Sequence, residues 1–258
     1  MARIFITGSA NGLGQLAARQ LVRQQHQVVL HARSPARAAD AQAAVPEAES
    51  VVMGDLSTLA GMRQVAEQAN ALGHFDAVIH NAGVYQVPQL VRTADGWPAP
   101  LAINTLAPYV LTCLMERPTR LVYLSSGMHR QGDASLQDLL WQQRPWNTMQ
   151  AYCDSKLHDL LLSNAVARHW PEVLVNAVDP GWVPTKMGGV GAPDSLVEGA
   201  RTQAWLAAGT DPAAHLTGQY LHHQRPSAAH PQAADVAVQE QLLAECARLT
   251  GVAFPLGT

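Results

Sequence analysis

The chain has 258 residues, a formal net charge of −3 and 14% charged side chains against 48% hydrophobic ones. That length suits a single large α/β domain with a sizeable core, and the weak charge excludes a polyanion-binding or polybasic membrane surface. Cys113, Cys153 and Cys246 lack metal-ligand spacing and cannot close a disulfide framework. The chain reads as strand from residue 3 with no charged leader, and no apolar run is long enough to span a bilayer. A reducing, cytoplasmic home is therefore expected, with no nucleic-acid or membrane partner and no metal.

Arg3 to Thr7 is a short apolar strand that stops at Gly8. Thr7-Gly8-Ser9-Ala10-Asn11-Gly12-Leu13-Gly14 follows, then helical spacing through Leu16, Ala17, Leu21 and Val22. Strand, glycine loop and helix in this order form the context of a dinucleotide fingerprint. Gly8 permits the turn, Gly12 lets backbone approach a pyrophosphate, and Gly14 lets helix and strand pack closely. The helix N-terminus offers unpaired N–H groups to the phosphates. A second strand, Gln27 to Ala32, ends in Arg33-Ser34 rather than in the acidic residue that reads a ribose 2′-hydroxyl. Arg33 is suited to a 2′-phosphate, with Ser9, Ser34 and Arg37 as candidate helpers, so NADP(H) is expected over NAD(H).

A helix over Pro35 to Val45 leads to a third strand, Ser50 to Met53, and to Gly54-Asp55-Leu56. Asp55 is placed to reach an adenine amino group or to cap the helix Thr58 to Ala71. The fourth strand, Phe75 to Ile79, runs into Asn81-Ala82-Gly83, where small residues leave room for a flat ring and Asn81 can hold the turn. Leu101 to Met115 reads as one helix carrying Asn104, whose amide needs a local partner or an exposed position.

The fifth strand, Arg120 to Leu124, delivers Ser125-Ser126 to the edge where parallel sheets bind ligands. Trp141, Pro145 and Trp146 then suggest a wall of the site's mouth. Tyr152 and Lys156 stand four residues apart on the next helix, so their side chains share a face. A phenol beside an ammonium loses its proton more easily and can serve as an acid–base group near neutral pH. The sixth strand, Val173 to Val178, stops at Asp179-Pro180-Gly181-Trp182-Val183-Pro184-Thr185, where Thr185 can hydrogen-bond a cofactor amide. Residues 186–194 are glycine-rich and suggest a mobile lid, the lid region extending to about 208. A helix Ser195 to Ala208, a short strand near Gly218 to Leu221, a polar stretch and a helix Ala234 to Thr250 close the chain. Trp141, Trp146, Trp182, Met187 and Trp205 are candidates for an apolar pocket, and His222-His223 reads as polar loop. No repeat or composition break divides residues 1–258, so one Rossmann-type doubly wound parallel sheet of about seven strands is predicted.

With these pieces in order, the chain resembles the short-chain dehydrogenase/reductase family over essentially its whole length. The resemblance rests on Thr7-Gly8-x-x-x-Gly12-x-Gly14, Asn81-Ala82-Gly83, Asn104, Ser126, Tyr152-x-x-x-Lys156 and Pro180-Gly181. It is nearer to the retinol-dehydrogenase-like and WW-domain-oxidoreductase-like branch, through Thr93-Ala94-Asp95-Gly96, Asn104-Thr105-Leu106-Ala107-Pro108, Leu124-Ser125-Ser126-Gly127-Met128-His129 and Ala151-Tyr152-Cys153-Asp154-Ser155-Lys156-Leu157. Trp97-Pro98-Ala99-Pro100 departs from that branch and weakens any transfer of retinoid specificity.

The resemblance implies hydride transfer between nicotinamide C4, on its pro-S face, and a carbonyl or alcohol carbon of an apolar small molecule. Tyr152 is then the proton donor or acceptor, Lys156 binds the nicotinamide ribose and lowers the tyrosine pKa, and Ser126 rather than Ser125 orients the substrate oxygen. Asn104 is expected to hold a water that relays protons from Lys156. The cofactor set it implies is Gly8, Ser9, Asn11, Gly12, Leu13, Gly14, Arg33, Ser34, Asp55, Leu56, Asn81, Ala82, Gly83, Tyr152, Lys156, Pro180, Gly181, Val183 and Thr185. A homodimer or homotetramer is common in the family. The alternative is a non-catalytic NADP(H)-binding regulator on the same fold, for which the full Asn–Ser–Tyr–Lys set has no use.

Overall fold

The computed structural model describes residues 1–85 and 87–256. Eight strands form one sheet: β1 (Arg3–Ile6), β2 (Gln27–Ala32), β3 (Ser50–Met53), β4 (Ala77–His80), β5 (Arg120–Leu124), β6 (Leu174–Asp179), β7 (Gln219–His222) and β8 (Arg225–Pro226). Their order is β3-β2-β1-β4-β5-β6-β7-β8, with β1 to β7 parallel and β8 antiparallel to β7. Parallel neighbours need long crossovers. Helices α1 (Gly12–Arg23), α2 (Pro35–Ala44), α3 (Leu59–Leu72), α4 (Ala107–Leu114), α5 (Thr148–His169) and α6 (Leu196–Ala208) lie along the crossovers, and α7 (Val236–Thr250) follows β8.

Burial on both faces explains why the central strands are largely apolar rather than alternating. Phe5 of β1 faces one core, shared with Met62 and Val65 of α3, Tyr109 of α4, Leu161 of α5 and Leu242 of α7. Ile4 and Ile6 face the other, with Ala17 and Leu21 of α1, Ala41 of α2 and Ala204 of α6. The strand order reverses between β1 and β4, so a crevice opens between their carboxyl ends, where this architecture binds ligands.

Three features depart from the sequence expectations. Leu101–Leu106 is a π-helix that runs into α4, where a continuous α-helix was predicted. Asp55 does not cap α3: Thr58 does, accepting from Gly61 N–H at 3.1 Å, while the Asp55 carboxylate accepts from Ser57 N–H at 2.9 Å. An eighth strand lies inside the predicted polar stretch, because His223 and Gln224 adopt positive φ (48° and 63°) and turn the chain back on β7. Among the described residues, no group of three His, Cys, Asp or Glu could hold a metal ion, and no helix is long and apolar enough to cross a membrane.

Candidate active site

The crevice begins at the glycine loop. Gly8 has φ +63°, and a Cβ there would lie 2.7 Å from Ala82 Cα, so only glycine lets β1 turn this close to the β4 exit. Asn81 locks the two ends: its Nδ2 donates to the carbonyls of Thr7 (2.9 Å) and Gly8 (3.1 Å). Thr7 Oγ1 accepts from the N–H groups of Asn81 and Ala82, both at 3.0 Å. A Cβ on Gly14 would collide with Asn81 Nδ2, which is why α1 can start against this lock. Asn11 precedes α1 without capping it through its side chain. By contrast, α2, α3, α5, α6 and α7 each carry a side-chain cap, from Ser34, Thr58, Asn147, Ser195 and Asp235. Among the described residues, the first N–H groups of α1 are thus left without a side-chain acceptor beside a glycine cradle, which fits a phosphate-bearing cofactor.

At the β2 exit, Arg33 is exposed and forms no ion pair among the described residues. Ser34 is committed as the α2 cap, accepting from Arg37 N–H at 3.4 Å, and Arg37 pairs with Asp40 at 2.7 Å. Ser9 does not join them. Its hydroxyl is fully buried, donates to Ile6 O at 2.9 Å and accepts from His31 N–H at 2.8 Å, so the expectation that Ser9 helps hold a 2′-phosphate is corrected. Asp55 is exposed at the β3 exit, whereas the Leu56 side chain is buried in the core.

Asn104 sits on the π-helix with both of its amide atoms hydrogen-bonded. Oδ1 accepts from Val84 N–H at 2.8 Å, and Nδ2 donates to Val84 O at 3.0 Å and to Ser155 Oγ at 2.9 Å. These bonds tie the segment after Gly83 to α5, and the π register supplies the extra residue that aims Asn104 there. The side chain braces this segment, while Lys156 Nζ bonds to Leu124 O and Asp159. Both groups still border one space: a Cβ on Gly83 would lie 3.5 Å from Asn104 Oδ1 and 3.8 Å from Lys156 Nζ.

The β5 exit separates the two serines. Ser125 is buried and its Oγ donates to Lys156 O at 2.7 Å, a fold contact. Ser126 is half-buried; its Oγ accepts from Met128 N–H at 3.3 Å, and its hydroxyl faces the Tyr152 phenol. His129 braces this turn, with Nδ1 donating to Ser126 O at 2.7 Å and Nε2 accepting from His230 N–H at 3.0 Å.

Tyr152 and Lys156 share a face of α5, with Nζ 5.7 Å from the phenol ring centroid. Burial raises the Tyr152 pKa, and Asp159 and Asp179 raise it further; Lys156 and the Ser126 hydroxyl pull the other way without reversing the shift. The expected lowering by Lys156 is therefore present but outweighed in the protein alone. Burial works against the charge on Lys156 too, and Asp159 overcomes it, leaving the ammonium pKa raised.

Beyond β6, Thr185 lies across the cradle from Gly12, its Cγ2 being 3.9 Å from a Cβ placed there. Thr185 Oγ1 accepts from Gly188 N–H at 3.2 Å and keeps its own proton. Val183 is buried, and a Cβ on Gly199 would meet Val183, Pro180 and Leu13 together, so these residues pack as one support beside the cradle. Residues 186–194 hang between Trp182 and Asp194: Asp194 accepts from Trp182 N–H at 2.6 Å, and Trp182 Nε1 donates to Gly188 O at 2.8 Å.

The aromatic candidates divide. Trp141 is buried, edge-on to Trp146 at 4.9 Å, and Trp146 Nε1 ties the chain at Val87 O. Trp205 lies on α6 next to Leu206, whose carbonyl is held by Arg120 at the entry of β5, the opposite edge of the sheet from Ser126. It is not part of the site.

Sequence reasoning missed four contributors. Tyr85 packs its ring 4.6 Å from that of Tyr152. His31 bridges the glycine loop to the β3 exit: Nδ1 accepts from Gly8 N–H and Nε2 donates to Gly54 O, both at 2.9 Å. Ser155 links Asn104 to the Tyr152 carbonyl. Asp159 pairs with Lys156. Only Asp159 left a trace in the sequence, a carboxylate one turn from the lysine.

Comparison with known proteins bears on the family and the fold. Residues 8–215 match the family model described as enoyl-(acyl carrier protein) reductase. An uncharacterized oxidoreductase of Emericella nidulans is 48% identical, over 100% of both chains. Human retinol dehydrogenase 13 is 30% identical, over 98% of this chain and 85% of its own. Among solved structures, an uncharacterized protein from Mycobacterium paratuberculosis superposes with a TM-score of 0.85 at 28% identity, covering 99% of this chain and 96% of the other. The chain is an oxidoreductase of the short-chain dehydrogenase/reductase family.

Proposed function

We propose that this protein interconverts an aldehyde or ketone and the corresponding alcohol on an apolar small molecule, using NADP(H) in preference to NAD(H). The observation that carries the proposal is the meeting, at one sheet edge, of an uncapped helix N-terminus with the Tyr152–Lys156 pair and the Ser126 hydroxyl beside the phenol. Arg33, exposed and unpaired among the described residues, supports a 2′-phosphate partner.

The residues present fit a nicotinamide dinucleotide: Gly8, Gly12 and Gly14 would admit its pyrophosphate against α1, and Lys156 with Thr185 would hold its nicotinamide end. Such a cofactor supplies or accepts the hydride. In reduction, Ser126 orients the substrate oxygen by donating its hydroxyl proton in a hydrogen bond. Tyr152 gives its phenolic proton to the oxygen as negative charge develops there. The Lys156 ammonium stabilises the phenolate left behind, and the bond from Ser126 stabilises the developing oxyanion. Oxidation runs through the same groups in reverse. The tyrosine's burial favours the protonated phenol, the form that reduction consumes.

The test is NADPH consumption across a panel of aliphatic and aromatic aldehydes and ketones, run beside Tyr152→Phe. The reading expects turnover in the parent chain and its loss in the variant. Equal turnover in both would overturn it.

A further inference from the structure

Asp159 lies three residues beyond Lys156 on α5 and is 1% exposed; its Oδ2 accepts from Lys156 Nζ at 2.8 Å. Nζ donates a second hydrogen to Leu124 O at 2.6 Å. An ammonium has three N–H groups. Two fixed bonds therefore set its orientation and leave one donor, at a nitrogen that borders the space over Gly83.

An ammonium taken this far from water reverts to the amine unless a counter-charge is in contact with it. The other titratable groups around it supply none. Tyr152 on the same helix and Tyr123 on β5 are kept protonated by burial, and the Tyr123 hydroxyl is bonded to Thr112. His80 on β4, its ring tilted against that of Tyr123 at 4.8 Å, is held neutral, its pKa pushed down to about 3 by burial. Cys113 on α4 is pushed up to about 12 by burial. Asp179, at the end of β6, spends its carboxylate on Tyr220 OH and Gly181 N–H. Among the described residues, Asp159 is the one carboxylate in contact with the ammonium.

The geometry points to Asp159 as a positioning residue of the tyrosine–lysine pair, the buried counter-ion that keeps Lys156 charged and holds Nζ between Leu124 and Gly83. This rests on the reading of Tyr152 and Lys156 as the acid–base pair. Asp159 has a double effect there, since it preserves the charge that pulls the phenol down while its own charge pushes the phenol up.

The chain holds two lysines, Lys156 and Lys186. Lysine labelled with ¹³C at Cε therefore gives two NMR resonances, assigned with Lys186→Arg, and exposed Lys186 is an internal reference. Lys156 is expected to titrate at or above Lys186 in the parent chain. In Asp159→Asn, which keeps the shape and an acceptor oxygen, its midpoint should fall by at least about one pH unit, a roughly tenfold loss of proton affinity, with Lys186 unmoved. A Lys156 that titrates well below Lys186 in the parent chain overturns the proposal without any variant, and an unmoved Lys156 in Asp159→Asn does the same. In turnover, Asp159→Asn should lower kcat at least about tenfold, change cofactor KM less, and move the alkaline limb of the kcat–pH profile to lower pH. Asp159→Glu should recover part of the loss. A thermal midpoint that falls while that limb stays in place would assign Asp159 to packing alone. Absence of turnover in the parent chain counts against the oxidoreductase reading and leaves the lysine titration to judge Asp159 separately.

Discussion

The two ends of the crevice are built in opposite ways. At β1 the donors are main-chain N–H groups on a helix that no side chain caps, and the nearby guanidinium of Arg33 is exposed. At α5 the polar groups have already found each other: Asn104 with Val84 and Ser155, Ser125 with Lys156 O, Lys156 with Leu124 and Asp159. The first end leaves its donors for a ligand's charge. The second spends its hydrogen bonds on fixing a few reacting atoms before a substrate arrives, which is how electrostatic preorganisation lowers a barrier. The contrast teaches where substitutions act: on affinity at the open end, on turnover at the bonded end.

The largest effect should come from the bonded end. Tyr152→Phe removes the proton donor and should cost about 10²–10⁴-fold in turnover while leaving cofactor binding intact, as read by NADPH consumption and fluorescence titration in parallel. Asn104→Ala deletes three hydrogen bonds that hold the π-helix to Val84 and α5. It should lower stability by about 1–3 kcal/mol in chemical denaturation, with turnover falling more than cofactor affinity.

At the open end, Arg33→Asp should shift the NADPH/NADH affinity ratio by about tenfold, roughly 1.4 kcal/mol, with little change in stability. An unchanged ratio would assign the phosphate to another residue. Acid sensitivity is a separate effect, on stability rather than on turnover. Burial lowers the pKa of His31, of His80 to about 3 and of His158 to about 4, from an ordinary 6.5. A histidine depressed in the fold contributes stability that is complete above its unfolded pKa and is lost as pH falls below it. Thermal midpoints should therefore decline as pH falls below 6.5, opposed by Asp159, whose pKa burial raises to about 7, and His80→Gln should flatten the decline.

Local chemistry was legible in the sequence. The glycine loop, Asn81, Ser126 and the Tyr152–Lys156 spacing each depend on neighbours within one turn or one strand exit, and the sheet follows from apolar runs alternating with helical periods. What long-range contact decides was not. The π-helix at Leu101–Leu106 takes its register from bonds between Asn104 and Val84, 20 residues apart. Ser9 was misread because the loop motif does not reveal that β2 covers its hydroxyl. Asp159 was passed over because a carboxylate on a helix usually faces water. α5 is instead buried on nearly every side between the sheet and α7, so Asp154, Lys156, His158 and Asp159 are all interior.

The most direct test of the whole account is a fluorescence titration of the parent chain and of Tyr152→Phe with NADPH and with NADH. The account predicts that both proteins bind NADPH alike and at least about tenfold more tightly than NADH, while only the parent chain turns over a carbonyl substrate. Binding of neither nucleotide would contradict it, because the open N-terminus of α1 and the glycine cradle would then hold no cofactor.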